Sequence, residues 1–270
     1  MKQKINMVGG GFQHEICSSA GSVPQHIEWV KTSYTASVSI HIDYAIKQPV
    51  DKSKRNFAWI QESSTINVLL LEWVKQNIPY LEDNFELIFT HDTRLLPLSS
   101  KMRHVICNAR PWVQDIGVHG KTKLVSMIAS NKVMCYEHVI RQEVVSMFKN
   151  QVDLFGRGYN EISDKIIGLK EYCFSITMEN STYPVGYTEK IADCFATGTI
   201  PIYYGCKEVN TLFNPEGILW LDQGFKVEDL SFDLYYSKMP AIQDNFNRIK
   251  NWPVAEDYIY SKYIEPLCKA

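Results

Sequence analysis

The sequence predicts an α/β fold with doubly wound, mostly parallel sheets. Short apolar runs alternate with helical patterns along the 270-residue chain, the rhythm of βαβ units. One such unit, residues 172–205, is legible from end to end. With 45% hydrophobic residues, a chain of this length has core enough for one large or two ordinary domains.

In the first half, residues 5–8 read as a strand running into Gly9-Gly10-Gly11. Strands follow at 37–42, where apolar and polar residues alternate, and at 57–60. A helix is expected over 66–76, then strands at 87–89 and 104–107. The segment 110–121, with Pro111, Gly117 and Gly120, is the best linker. The second half opens with a strand at 124–129 and a helix at 136–148, with Ile140, Val144 and Phe148 along one face. A strand at 152–155 ends in Gly156-Arg157-Gly158. Residues 174–178 form an apolar run suited to a buried parallel strand. Thr188 is a good N-cap for the helix that follows, Ile191, Cys194 and Phe195 make its apolar stripe, and Gly198 closes it. Strands at 199–204 and 218–221 come next, and a helical tail spans 241–267 with a break at Pro253.

Composition narrows the function. A net charge of −2 gives no argument for nucleic acid or an anionic membrane as partner. No apolar run approaches the roughly 20 residues that span a bilayer. The N-terminal apolar stretch is too brief for a signal peptide, so a cytoplasmic location is the expectation. The seven cysteines are never spaced C-x-x-C and read as small core residues, not as a disulfide or metal framework. Polar and charged residues gather where the strand at 174–178 meets its helix, the usual place for an anionic ligand in an open α/β sheet.

Those same residues resemble the α-1,3-fucosyltransferase family, inverting glycosyltransferases of GT-B fold. The resemblance rests on Met178-Glu179-Asn180-Ser181, Gly186-Tyr187-Thr188-Glu189-Lys190 and Thr197-Gly198-Thr199-Ile200-Pro201-Ile202. It extends to Ser130-Asn131 followed by Arg141, to Val152-Asp153-Leu154-Phe155-Gly156-Arg157-Gly158, and to Trp59-Ile60-Gln61-Glu62-Ser63. Ser64 stands where animal members carry proline, and members often have a residue between the Tyr and the Thr that are adjacent here. The resemblance implies two Rossmann-like domains facing across a cleft, with a C-terminal helix crossing back. The expected division is 1–118 on the acceptor side, 119–250 for the nucleotide sugar, and 251–270 for the returning helix. No Asp-x-Asp occurs, which counts against the metal-dependent GT-A architecture.

The implied reaction is transfer of fucose from GDP-fucose to a hydroxyl of an acceptor oligosaccharide. No cofactor and no catalytic metal are expected. Lys190, in a helix first turn where the dipole already favours anions, is the first candidate for the diphosphate. Arg141, a fork-shaped donor, is the second. Glu189 suits the ribose hydroxyls, or serves only the helix dipole. Asn180 touches the donor or stabilises its turn, Tyr187 donates to phosphate or packs, and Ser130 and Asn131 join the donor side. Glu62 is the preferred base, against a plain reading as a capping carboxylate for the next helix. Glu179 is the runner-up, and His14, after the triple glycine, is a third option. Two rival readings stand: the same fold with a UDP-sugar such as UDP-xylose, and a catalytically silent glycan-binding module.

Overall fold

Six short strands form the first sheet: β1 (Gln3–Val8), β2 (Ile27–Val30), β3 (Val38–Ile42), β4 (Arg55–Ile60), β5 (Ile88–Thr90) and β6 (Met102–His104). All are parallel, in the order β2-β1-β3-β4-β5-β6. The computed structural model describes residues 2–9, 16–31, 36–106, 109–182 and 186–269. They divide into two units, Met1–Ala109 with Pro253–Ala270, and Arg110–Trp252.

In the first unit, β4 shows why its sequence reads as a continuous apolar run: both faces are covered. Ala58 and Ile60 face α1 (Val68–Gln76) and α2 (Ile78–Asn84), packing with Leu70, Leu71, Val74 and Leu81. Phe57 and Trp59 face the other way and pack with Ile259 and Ile264. Two elements were not foreseen. β2 is a four-residue edge strand beside β1, and α2 carries in its first turn Pro79, which has no N–H to lose there. The strand expected at 104–107 lies two residues earlier, because β6 pairs Met102–His104 with Ile88–Thr90.

The second unit carries β7 (Lys123–Ile128), β8 (Asp153–Phe155), β9 (Tyr172–Met178), β10 (Ile200–Tyr204) and β11 (Leu219–Trp220), all parallel in the order β11-β10-β9-β7-β8. Its helices are α3 (Tyr136–Phe148), α4 (Glu189–Thr197), α5 (Val209–Leu212), α6 (Phe232–Ser237) and α7 (Met239–Ile249). All seven residues of β9, the central strand, are buried. Thr188 caps α4, and Gly198 ends it at φ +69°, a left-handed conformation that a Cβ makes costly. The face of α3 is rotated from the expected stripe. His138, Arg141, Val145 and Phe148 are buried, while Ile140 and Val144 are only partly so.

The segment 110–121, read as a linker, belongs to the second unit. The Trp112 and Val113 amides donate to Asp193 Oδ1 at 2.6 and 3.1 Å, and the Gly117 amide donates to the Ala196 carbonyl at 2.8 Å. The division therefore falls after Ala109, not after residue 118. At the other end the chain leaves the second unit at Trp252 and returns to the first as α8 (Ala255–Ile259), a π turn (Tyr260–Ile264) and α9 (Glu265–Lys269). Buried carboxylates pin this tail: Glu256 accepts from the Ser18 amide at 2.6 Å, and Asp257 from the Gln25 and His26 amides at 2.8 and 2.9 Å. Among the described residues no helix is long and apolar enough to cross a membrane.

Candidate functional site

Numbered within the second unit, its strand order is 2-1-3-4-5, so successive connections leave β7 and β9 in opposite directions. Ligands of open α/β sheets bind outside the carboxyl ends of the strands at this reversal. A cavity of about 340 Å³ lies there. Its walls include Ala129 and Ser130 after β7, Thr177 and Met178 of β9, and Glu189, Lys190 and Asp193 of α4. Arg141 of α3, Arg157 after β8, and Asp164 and Lys165 complete the charged lining.

The backbone at this end is shaped by glycine. Gly156 has φ +110°, and a Cβ there would meet the Ala129 carbonyl oxygen at 2.0 Å. At Gly158, φ +84°, it would meet the Asn131 side chain at 2.3 Å. The Asn131 amide donates to the Arg157 carbonyl at 3.0 Å, so Ser130-Asn131 and Gly156-Arg157-Gly158 brace each other.

Arg141 is 8% exposed. Its Nη2 donates to Ser130 Oγ at 3.2 Å and to the Lys132 carbonyl at 3.0 Å. Its Nε is buried and, among the described residues, has no acceptor. Burial lowers the guanidinium pKa, but the group stays charged at neutral pH. A buried cationic donor with one N–H unspent, lining a cavity, suits an anionic acceptor such as phosphate.

Lys190 is held by the N-terminal turn of its own helix. Nζ donates to Thr188 Oγ1 at 3.1 Å and to Glu179 Oε2 at 3.4 Å, and lies 3.6 Å from Glu189 Oε1. Burial opposes the charge, yet Glu189 and Glu179 outweigh it and raise the pKa. Lys165 Nζ bridges Glu189 Oε1 at 3.2 Å and Asp193 Oδ2 at 3.0 Å, and lies 4.6 Å from the Trp112 ring centroid. For Glu189, burial alone would raise the pKa; Lys190 and Lys165 hold it down to about 2. A depressed carboxylate contributes stability that is present above its unfolded value, near 4.5, and is lost as pH falls through the folded value near 2. Glu189→Gln is expected to flatten the acid limb of a urea-denaturation pH series between those values.

Asp193, 1% exposed, ties this cluster to the 110–121 segment. Burial pushes its pKa up and Lys165 pulls it back. Asp193→Ala removes one of the two carboxylates that Lys165 bridges and the acceptor that the Trp112 and Val113 amides share. The expected loss is about 3–5 kcal/mol, measured by urea denaturation, as for other broken buried ion pairs.

The remaining sequence candidates separate. Glu179 is buried, and its oxygens accept from the Thr188 amide (3.0 Å), Thr188 Oγ1 (2.6 Å), Lys190 Nζ (3.4 Å) and Tyr203 Oη (3.3 Å). That network ties it to Lys190 and to the start of α4. Asn180 Oδ1 accepts from His138 Nε2 at 3.0 Å; His138 Nδ1 takes the Met134 amide, which fixes the tautomer. Tyr187 packs on Phe213 and Trp252, with centroids 5.0 and 5.8 Å away, and its buried hydroxyl has no partner among the described residues. It does not line the cavity. Glu62 lies in the first unit, exposed, in the turn after β4; its Oε1 accepts the Ser63 amide at 2.8 Å. It is no cap for α1, whose N-cap is Asn67. His14 falls outside the described residues. Lys165, Asp193, His138 and Arg157 were missed. Three had a sequence signal: Arg157 stands in the Gly156-Arg157-Gly158 motif, Asp193 repeats Glu189 at i+4, and His138 precedes Arg141 by three on one helix face.

Among known proteins, the C-terminal model of glycosyltransferase family 10 (fucosyltransferase) matches residues 118–266, more than half of the chain. A crystal structure of an α1,3-fucosyltransferase aligns over 98% of this chain and 88% of its own, at 13% identity and TM-score 0.50. An α1,3-fucosyltransferase with GDP-fucose aligns over 93% and 82%, at 14% identity and TM-score 0.48. No curated protein sequence matches. The structural likeness is one of fold, and that fold is GT-B. The family match makes this chain a glycosyltransferase of the fucosyltransferase type. The chain belongs to glycosyltransferase family 10, the fucosyltransferases.

Proposed function

We propose that the chain transfers fucose from GDP-fucose to a hydroxyl of an acceptor glycan with inversion at the anomeric carbon. The observation that carries the donor-side reading is Arg141, which lines the second unit's cavity together with Lys190 and whose buried Nε has no acceptor among the described residues. The acceptor oxygen forms a bond to the anomeric carbon as the bond from that carbon to the diphosphate breaks. The proton of the acceptor hydroxyl passes to Glu62, and the electron pair leaves on GDP. Arg141 and Lys190 balance the charge that gathers on the diphosphate oxygens, with Glu189 placed for the ribose hydroxyls. Glu179 keeps its place in the reaction only through Lys190, which it orients.

In this reading two protein cations serve the leaving group, so no metal is required. Transfer from GDP-fucose is expected to survive EDTA, and the product's anomeric configuration is expected to be opposite to the donor's by NMR. Strict dependence on manganese, or retention of configuration, would remove the mechanism. Transfer from UDP-xylose and not from GDP-fucose would keep the site and replace the donor.

A further inference from the structure

The first sheet has the same 2-1-3-4-5 reversal as the second, placed between β1 and β3. Asp43 sits at the carboxyl end of β3, at that reversal, where open α/β sheets hold their ligands. Its φ is +48°, and among the described residues it is the one non-glycine with positive φ. Strained backbone of this kind persists where the surrounding structure holds it, most often at functional sites.

What holds it is the turn after β4. Asp43 Oδ1 accepts the Gln61 amide at 2.8 Å and the Glu62 amide at 3.1 Å, so one carboxylate oxygen grips both residues. Burial, and to a lesser degree the charge of Glu62, pushes the Asp43 carboxyl up to about 6 against the pull of the two amides. The charge is thus kept at a cost, as is the backbone conformation. From the other flank, Ser64 Oγ donates to Asp92 after β5, and Arg94 Nη2 reaches Ser64 Oγ at 3.1 Å and Asp92 Oδ2 at 2.6 Å. The turn bearing Glu62 is therefore fastened from β3 and from β5, while the Glu62 side chain stays exposed.

We infer that Asp43 is a positioning residue for the reaction: its grip on the Gln61 and Glu62 amides fixes the direction in which the Glu62 carboxylate is presented to the acceptor hydroxyl. This rests on Glu62 being the base, as proposed above. A purely structural clamp would be expected to add stability. A clamp built from a strained residue and a desolvated charge gives up stability for geometry.

The test uses Asp43→Gly, which relieves the positive φ and removes the grip, and Asp43→Asn, which tolerates that φ and still offers an oxygen to both amides. GDP release from GDP-fucose with water as acceptor reads activity, and amide hydrogen exchange at residues 61 and 62 reads the clamp. Asp43→Gly is expected to speed exchange at both amides and to lower kcat about 100-fold, the scale of a misplacement of roughly 1 Å. KM for GDP-fucose should hold and thermal stability should not fall, and Asp43→Asn should restore kcat to within about threefold, since its oxygen still accepts both N–H groups. Unchanged exchange in Asp43→Gly overturns the clamp, whatever the activity. Faster exchange with undiminished kcat overturns the positioning role. Full activity in Glu62→Gln is a different failure: it removes the base reading and leaves Asp43 nothing to position.

Discussion

Lys190→Ala is expected to lower kcat/KM for transfer from GDP-fucose by about 10²–10³-fold, the usual effect of removing one donor aimed at developing negative charge. Lys190 enters the first turn of α4, where free N–H groups and the helix dipole already favour an anion. Its ammonium is partly screened by Glu179 and Glu189, at 3.4 and 3.6 Å, so its contribution depends on being fixed as well as charged. The loss should fall on activity more than on folding. Glu179 keeps the Thr188 amide, Thr188 Oγ1 and Tyr203, and Glu189 keeps Lys165. Steady-state kinetics beside a urea-denaturation curve separates the two. Wild-type turnover in Lys190→Ala would remove Lys190 from the mechanism.

The second large effect is expected at Glu62. Glu62→Gln keeps the side-chain length and an oxygen for the Ser63 amide but cannot take a proton. A positioned general base contributes about 10²–10⁴-fold, and kcat should fall by that factor with KM for GDP-fucose unchanged. Because Glu62 is exposed, stability should not move. If kcat survives, the base lies elsewhere.

How far the sequence foretold this molecule depends on which forces shaped each part. The unit from β9 through α4 to β10 was readable because each signal there is local: a buried apolar run, a Thr cap, a glycine stop. Its Lys190 and Glu189 reach the cavity because they follow that cap. The face of α3 was misjudged by one position for an instructive reason. An apolar stripe assumes that the buried face is apolar, whereas here His138 and Arg141 occupy it, one holding Asn180 and the other lining the cavity. Asp43 and Lys165 had no sequence signal. Asp43 meets the turn 18 residues on through a backbone amide, and Lys165 meets α4 from a 3-10 turn (Lys165–Gly168) far along the chain. Such contacts exist only once parallel strands have brought their carboxyl ends to one edge. Glu179 shows the opposite limit: its acidity was legible, but not the four donors that meet its oxygens.

The most direct test of the donor site is calorimetric titration of the wild-type protein and Arg141→Ala with GDP and with UDP. GDP is expected to bind the wild type, UDP to bind more weakly, and Arg141→Ala to weaken GDP by about 10- to 100-fold, the equivalent of one charged hydrogen bond. Tighter binding of UDP, or GDP bound equally well without the Arg141 guanidinium, would contradict the account.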